Sequence, residues 1–294
     1  MESKPLWVLL HGSDAPARTS PPHARVVLLH GWLQTHDCWL ATATELRDNF
    51  GHDVLLLDLW DHGHSTAPSA DVMSLEGYVA LVSDRLAAIG WDSGPPISMA
   101  GCSMGAAVAA RYAAAHSGRV ARLTLITPPG LPEPWYMPCH PVRILAKAVV
   151  AAAPAQSSLV HKLRVIRTTP EYGVPLDALF ELVERGALRL TVYLAGLDIV
   201  HSPHLAYWRA AEARVNTNRA TSSADPASVP AAGMRVVYLP GRAHWGVCSG
   251  LHALGLHRDE TLWHDRCCSE LSRPPHGTAS TPTPVAPGGL LSRL

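Results

Sequence analysis

Residues 101–105, Gly-Cys-Ser-Met-Gly, sit where one kind of chain gives way to another. Just before them, residues 96–100 are short, mostly apolar and bounded by Gly94-Pro95, as a buried parallel strand would be. Just after them, residues 106–115 are dominated by strong helix formers. Gly101 and Gly105 flank the serine. That suits a corner so sharp that the strand and helix backbones pass without room for a side chain. Such a strand–turn–helix corner holds the oxygen of Ser103 in the open at the end of a sheet. Cys102 is turned the other way and is read as a small buried packing residue.

The remaining chain alternates strand and helix patterns around this corner. Short apolar runs at residues 6–10, 25–29, 53–58, 120–126, 190–195 and 235–239 predict strands. Helical spacing covers residues 37–49, 75–89 and a stretch near 204–215, and puts Trp39, Leu40, Ala43, Leu46 and Phe50 on one face of the first helix. The alternation predicts an α/β fold with a mostly parallel central sheet flanked by helices. A chain of 294 residues, 47% hydrophobic, is long enough to bury one sizeable core. Residues 128–189 break the pattern. A Pro-rich entry and helical stretches at 142–153, 156–167 and 175–188 predict a helical lid inserted between strands. The expected core is therefore residues 1–127 and 190–272. Residues 216–233 read as a flexible polar loop, a last helix falls within 247–272, and 273–294 read as a Pro/Thr/Gly-rich disordered tail.

Composition removes several classes of partner. Lys plus Arg and Asp plus Glu both number 24, so there is no electrostatic case for nucleic acid or an anionic membrane surface. No stretch reaches the ~18 uninterrupted apolar residues that span a bilayer, so no integral membrane segment is expected. The 17 histidines are scattered; His201 and His204 stand three apart without a third ligand at metal spacing, so no metal site and no cofactor are read. Six cysteines without a C-x-x-C pair, and no basic or long apolar leader, predict a reduced, cytoplasmic protein.

A serine at such a corner needs a base to take its proton. His244 follows the last predicted strand in a Gly-containing loop, at the sheet edge where ligands of open α/β sheets bind. His252, His257 and His264 fall on or near the last helix and fit less well. Asp198, at the end of the 190–195 strand, is placed to orient His244 and stabilise its imidazolium; Asp225, in the polar loop, is the second choice. Acyl transfer also needs N–H donors for the oxyanion. The Met104 backbone N–H follows the serine, and the Trp32 N–H follows His30-Gly31 after an early strand. A second His-Gly, His11-Gly12, comes too early in the strand order and reads as a hairpin end.

Together, His30-Gly31-Trp32, the turn at residues 58–65, Gly101–Gly105, Asp198 and His244 resemble the α/β-hydrolase superfamily over roughly residues 25–272. The resemblance implies Ser103 as nucleophile, His244 as base, Asp198 as acid, and Trp32 and Met104 as oxyanion donors. The His-Gly-Trp form is similar to that of small carboxylesterases. The family's usual Gly-His-Gly turn is Asp61-His62-Gly63 here, and Asp tolerates left-handed backbone angles better than most residues. The implied activity is hydrolysis of a small or medium apolar carboxylic ester, with a small-molecule substrate as the partner. A thioesterase, amidase, carbon–carbon bond hydrolase or acyltransferase on the same triad, or a non-catalytic binding protein, stays open. Residues 142–170 carry Arg143, Lys147, Lys162, Arg164 and Arg167 with no acidic residue, which reads as a solvated helix face.

Overall fold

The computed structural model describes residues 6–12, 24–67, 72–129, 148, 174–198, 204–222, 233–248 and 255–256. Seven strands form one sheet: β1 (Trp7–Leu10), β2 (Arg25–Leu29), β3 (Asp53–Leu57), β4 (Ile97–Cys102), β5 (Val120–Ile126), β6 (Arg189–Ala195) and β7 (Met234–Leu239). Their spatial order is β1-β3-β2-β4-β5-β6-β7. All neighbours pair parallel except β1, which runs antiparallel to β3 with Trp7 opposite Leu57. His11-Gly12 is therefore not a hairpin end. β1 is an edge strand, and the Gly12 N–H donates to the Asp53 carboxylate at 2.9 Å.

The apolar runs form strands because both of their faces are covered. Val27, Leu29, Leu55 and Leu57 point into one core cluster. Val26, Leu28, Val54 and Leu56, one residue out of phase, point into the other. Helices α2 (Leu75–Ala88), α3 (Met104–Ala115), α4 (Leu176–Glu184) and α5 (Leu205–Ser222) supply the first cluster. Helices α1 (Asp37–Phe50) and α6 (His244–Cys248) supply the second. α1 buries Trp39, Thr42, Ala43 and Leu46. Leu40 was expected on that face but is 42% exposed, because it lies about 100° around the helix from Trp39.

Several boundaries differ from expectation. α5 continues through Ser222 instead of ending in a loop at 216. Asn216 explains part of this, since its side chain donates to the Met234 carbonyl at 2.9 Å and accepts from the Met234 N–H at 3.0 Å. A short helix starts at His244; the range expected to hold a last helix, 247–272, lies outside the described residues except for 247–248 and 255–256. Of the segment expected as a lid, residues 130–173 other than 148 lie outside the described residues, as do Arg143, Lys147, Lys162, Arg164 and Arg167. Its last part forms α4, whose Leu179, Phe180 and Val183 join the core. The tail at 273–294 also lies outside.

The glycines of the corner are set by backbone approach. A Cβ on Gly105 would meet the carbonyl oxygens of Leu29 and His30, and one on Gly101 would meet that of Gly105, all closer than 3.0 Å. Neither neighbour is a flexible side-chain end, so the strand and helix would have to part. Gly105→Ala is expected to cost about 3 kcal/mol or more of stability, read from urea unfolding; a loss below about 1 kcal/mol, the range of ordinary surface substitutions, would contradict this packing.

Candidate active site

The strand order reverses direction beside β2 and β4, and ligands of open α/β sheets bind at the carboxyl ends of strands at such a point. Leu29 pairs with Gly101, so the residues that follow each strand, Gly31 and Ser103, emerge side by side. A Cβ on Gly31 would lie 3.3 Å from the Ser103 Cβ. Ser103 has φ 51° and ψ −116°, a conformation that costs a side-chain-bearing residue on the order of 1–3 kcal/mol. The surroundings enforce it. The Ser103 N–H donates to the Ile126 carbonyl at 2.8 Å, and the Ser103 carbonyl accepts from the N–H groups of Ala106 and Ala107 as α3 begins.

Asp198 and His244 leave the sheet from neighbouring strands. Their turns are laced together: the Gly196 N–H donates to the Leu239 carbonyl at 2.9 Å, and the Leu197 N–H to the Arg242 carbonyl at 2.9 Å. This brings His244 Nδ1 to 2.9 Å from Asp198 Oδ2 and His244 Nε2 to 3.1 Å from Ser103 Oγ. All three residues are buried. An ionised carboxylate only accepts hydrogen bonds, so Nδ1–H donates to it. The neutral ring then has its lone pair on Nε2, where the Ser103 hydroxyl donates. The three side chains singled out in the sequence thus form one continuous hydrogen-bonded chain. His252, His257, His264 and Asp225 lie outside the described residues.

Of the two backbone groups expected as oxyanion donors, the Met104 N–H directly follows Ser103 and the Trp32 N–H follows Gly31, which packs beside Ser103. The Met104 N–H opens α3, in the first turn, where amides have no partner within the helix and the helix dipole favours negative charge. Trp32 follows Gly31 in the loop beside Ser103, with its side chain partly buried against the core.

This loop rests on a buried polar scaffold. His30 is fully buried; its Nδ1–H donates to the Gly31 carbonyl at 2.7 Å, and its Nε2 accepts the Leu59 N–H at 3.0 Å. Those partners require the neutral ring. Burial, reinforced by nearby His62, pushes its pKa down to about 3. Asp58, equally buried, accepts from the His36 N–H at 2.7 Å, His36 Nδ1 at 3.0 Å and the His64 N–H at 3.2 Å. Asp61 has φ 61°, the left-handed angle anticipated for the turn. His30 makes stability depend on pH with a definite sign. Unfolded His30 takes up a proton below about pH 6.5, while the folded side chain resists until about pH 3. Its contribution is thus complete above pH 6.5 and is lost progressively as pH falls toward 3. In urea titrations it adds a slope approaching 1.4 kcal/mol per pH unit, which His30→Gln should remove; equal slopes in the two proteins would contradict it.

One expectation is corrected. Cys102 is buried as foreseen, but it is bonded to Cys248 in a disulfide, with Cα atoms 6.0 Å apart. The reading of reduced cysteines fails for this pair. The sequence carries a faint signal for it: Cys102 adjoins Ser103, and Cys248 lies one helical turn after His244. Cys38 is free. No helix among the described residues is long and apolar enough to cross a membrane.

The sheet order and the strand–turn–helix corner are those of the alpha/beta hydrolase fold, and comparison with known proteins agrees. The alpha/beta hydrolase fold family matches residues 24–165. Monoacylglycerol lipase ABHD6 of Mus musculus is 27% identical over 194 residues, 65% of this chain and 54% of that protein. Monoacylglycerol lipase abhd6-B of Xenopus laevis is 33% identical over 109 residues, 37% of this chain and 32% of that protein. The chain thus matches about half or less of the length of these relatives. The esterase EaEST from Exiguobacterium antarcticum superposes with a TM-score of 0.60 at 13% identity, covering 88% of this chain and 96% of that one. The chain has the alpha/beta hydrolase fold.

Proposed function

We propose that this chain is a serine hydrolase that cleaves a carboxylic ester of a small or medium apolar substrate through an acyl-enzyme on Ser103. The observation that carries the proposal is the buried Ser103–His244–Asp198 chain of hydrogen bonds, with His244 Nε2 3.1 Å from Ser103 Oγ. His244 takes the hydroxyl proton as Ser103 Oγ attacks the ester carbonyl. Asp198 holds the ring in the required tautomer and stabilises the imidazolium. The Met104 and Trp32 N–H groups stabilise the oxyanion. Its collapse breaks the bond to the alcohol, which leaves with the proton from His244. Water then gives a proton to His244 and attacks the acyl group. The carboxylic acid departs and Ser103 recovers its proton.

The names of the two lipase relatives make monoacylglycerols a reasonable substrate class to test first. The experiment is a panel of p-nitrophenyl esters of increasing chain length, monoacylglycerols, and the matching thioesters and amides. Faster turnover of the oxygen esters supports the proposal, and the chain-length optimum sizes the acyl pocket. Preference for thioesters or amides would move the assignment to another reaction on the same triad. No turnover by folded protein, with no reaction toward a fluorophosphonate, would favour a binding protein.

A further inference from the structure

The loop beside Ser103 is braced to the helix that carries His244 by one side chain, Gln34. Gln34 Oε1 accepts the Gly31 N–H at 2.8 Å, and Gln34 Nε2 donates to the Cys248 carbonyl at 2.8 Å. The Gln34 backbone N–H also donates to the Gly31 carbonyl at 3.2 Å. His30 Nδ1–H donates to the same carbonyl at 2.7 Å. The Gly31 N–H is thus held by the Gln34 side chain, and the carbonyl, with the plane of the Gly31–Trp32 peptide, by His30 and by the Gln34 backbone, which the side-chain bond to Cys248 keeps in place. In a planar trans peptide the N–H points opposite to the C=O. Fixing the Gly31 carbonyl thus fixes the direction of the Trp32 N–H.

The far end of the brace is equally constrained. Cys248 closes α6, the helix that begins at His244, and its sulfur is bonded to Cys102, the residue before Ser103. That sulfur carries no proton, so Thr127 Oγ1, 3.3 Å away, donates to it. Cys248 is therefore the point where β4, the end of β5, α6 and the loop after β2 are joined. A glutamine that only stabilised its own loop would not need to reach a helix 214 residues further along the chain.

We propose that Gln34 is a positioning residue. It sets the Trp32 oxyanion donor in register with the nucleophile and base, through a brace anchored at Cys248 and locked to the nucleophile strand by the Cys102–Cys248 disulfide. The inference rests on the serine-hydrolase reading for its catalytic consequence, but not for the brace itself.

The test uses the full chain and Gln34→Met, which keeps the length of the side chain and removes its donor and acceptor. Two readouts are taken. Amide hydrogen exchange at Gly31 reports the brace without any substrate. Steady-state kinetics on the best p-nitrophenyl ester report its consequence. A misplaced oxyanion donor should lower kcat between about 10- and 100-fold. KM should stay within about twofold, since the donor acts mainly on the charge that develops in the transition state. The pH at which the acid limb of kcat/KM falls should not move, because the His244–Asp198 pair is untouched. In the Cys102→Ala/Cys248→Ala background the same substitution should cost less than threefold, because the carbonyl that Gln34 grips is no longer anchored; coupled positions are non-additive in this way. Faster Gly31 exchange with unchanged kcat would overturn the positioning role, leaving a bond that only stabilises the fold. Unchanged Gly31 exchange would overturn the brace. Equal cost in both backgrounds would overturn the coupling through Cys248. If wild type turns over no ester while Gly31 exchange still depends on Gln34, the brace stands and the hydrolase reading fails.

Discussion

Ser103→Ala is expected to remove about 10⁴-fold or more of the ester-hydrolysis rate while leaving the protein folded. The alanine lacks only the hydroxyl oxygen. The corner that holds residue 103 at positive φ is built by Gly101, Gly105 and the bond from the residue 103 N–H to the Ile126 carbonyl, and none of these needs the hydroxyl. Circular dichroism and the unfolding midpoint should therefore change little. Without Oγ there is no atom to acylate. The oxyanion donors and His244 could still assist direct attack by water, and that residual route sets the floor of the measured rate. Retention of more than a few per cent of wild-type activity would mean that another residue is the nucleophile.

The second large effect is expected for Asp198→Asn. The substitution keeps the size of the side chain and the buried site. It replaces a pure acceptor, 2.9 Å from His244 Nδ1, with a group that donates from Nδ2. A donor facing Nδ1 drives the proton to Nε2, the atom 3.1 Å from Ser103 Oγ. The base then presents N–H to the nucleophile and cannot take its proton. A drop of about 10³- to 10⁴-fold in kcat follows, with KM nearly unchanged. The Ser103→Ala/Asp198→Asn double variant should be no slower than Ser103→Ala alone, since residues that act as one unit do not add. A drop of tenfold or less in the single variant would mean that Asp198 is not the acid, and would bring Asp225 back into consideration.

How much was legible in the chain depended on whether the cause was local. The corner at residues 101–105 was readable because steric exclusion at Gly101 and Gly105 acts within a few residues of Ser103. Asp198 and His244 were readable from chain order, because parallel strands joined by helices all end at one edge of the sheet. The antiparallel place of β1 was not readable, since an edge strand and an internal strand of four apolar residues have the same pattern. α5 beyond residue 215 was missed because its last turns are polar, and the bonds from Asn216 to Met234 that anchor them come from a distant strand. The Cys102–Cys248 disulfide left only the faint trace of its places beside Ser103 and His244, and the Gln34 brace left none, for the same reason. Each joins positions more than a hundred residues apart, and only the folded sheet brings them together.

The central claim is that Ser103 is a nucleophile activated by His244. Reaction with a fluorophosphonate, followed by peptide mass mapping, tests it without assuming a substrate. The account predicts one phosphonyl group per chain, on Ser103, with labelling slowed at least a hundredfold in His244→Ala. Labelling of another residue, or none on folded wild-type protein, would contradict it.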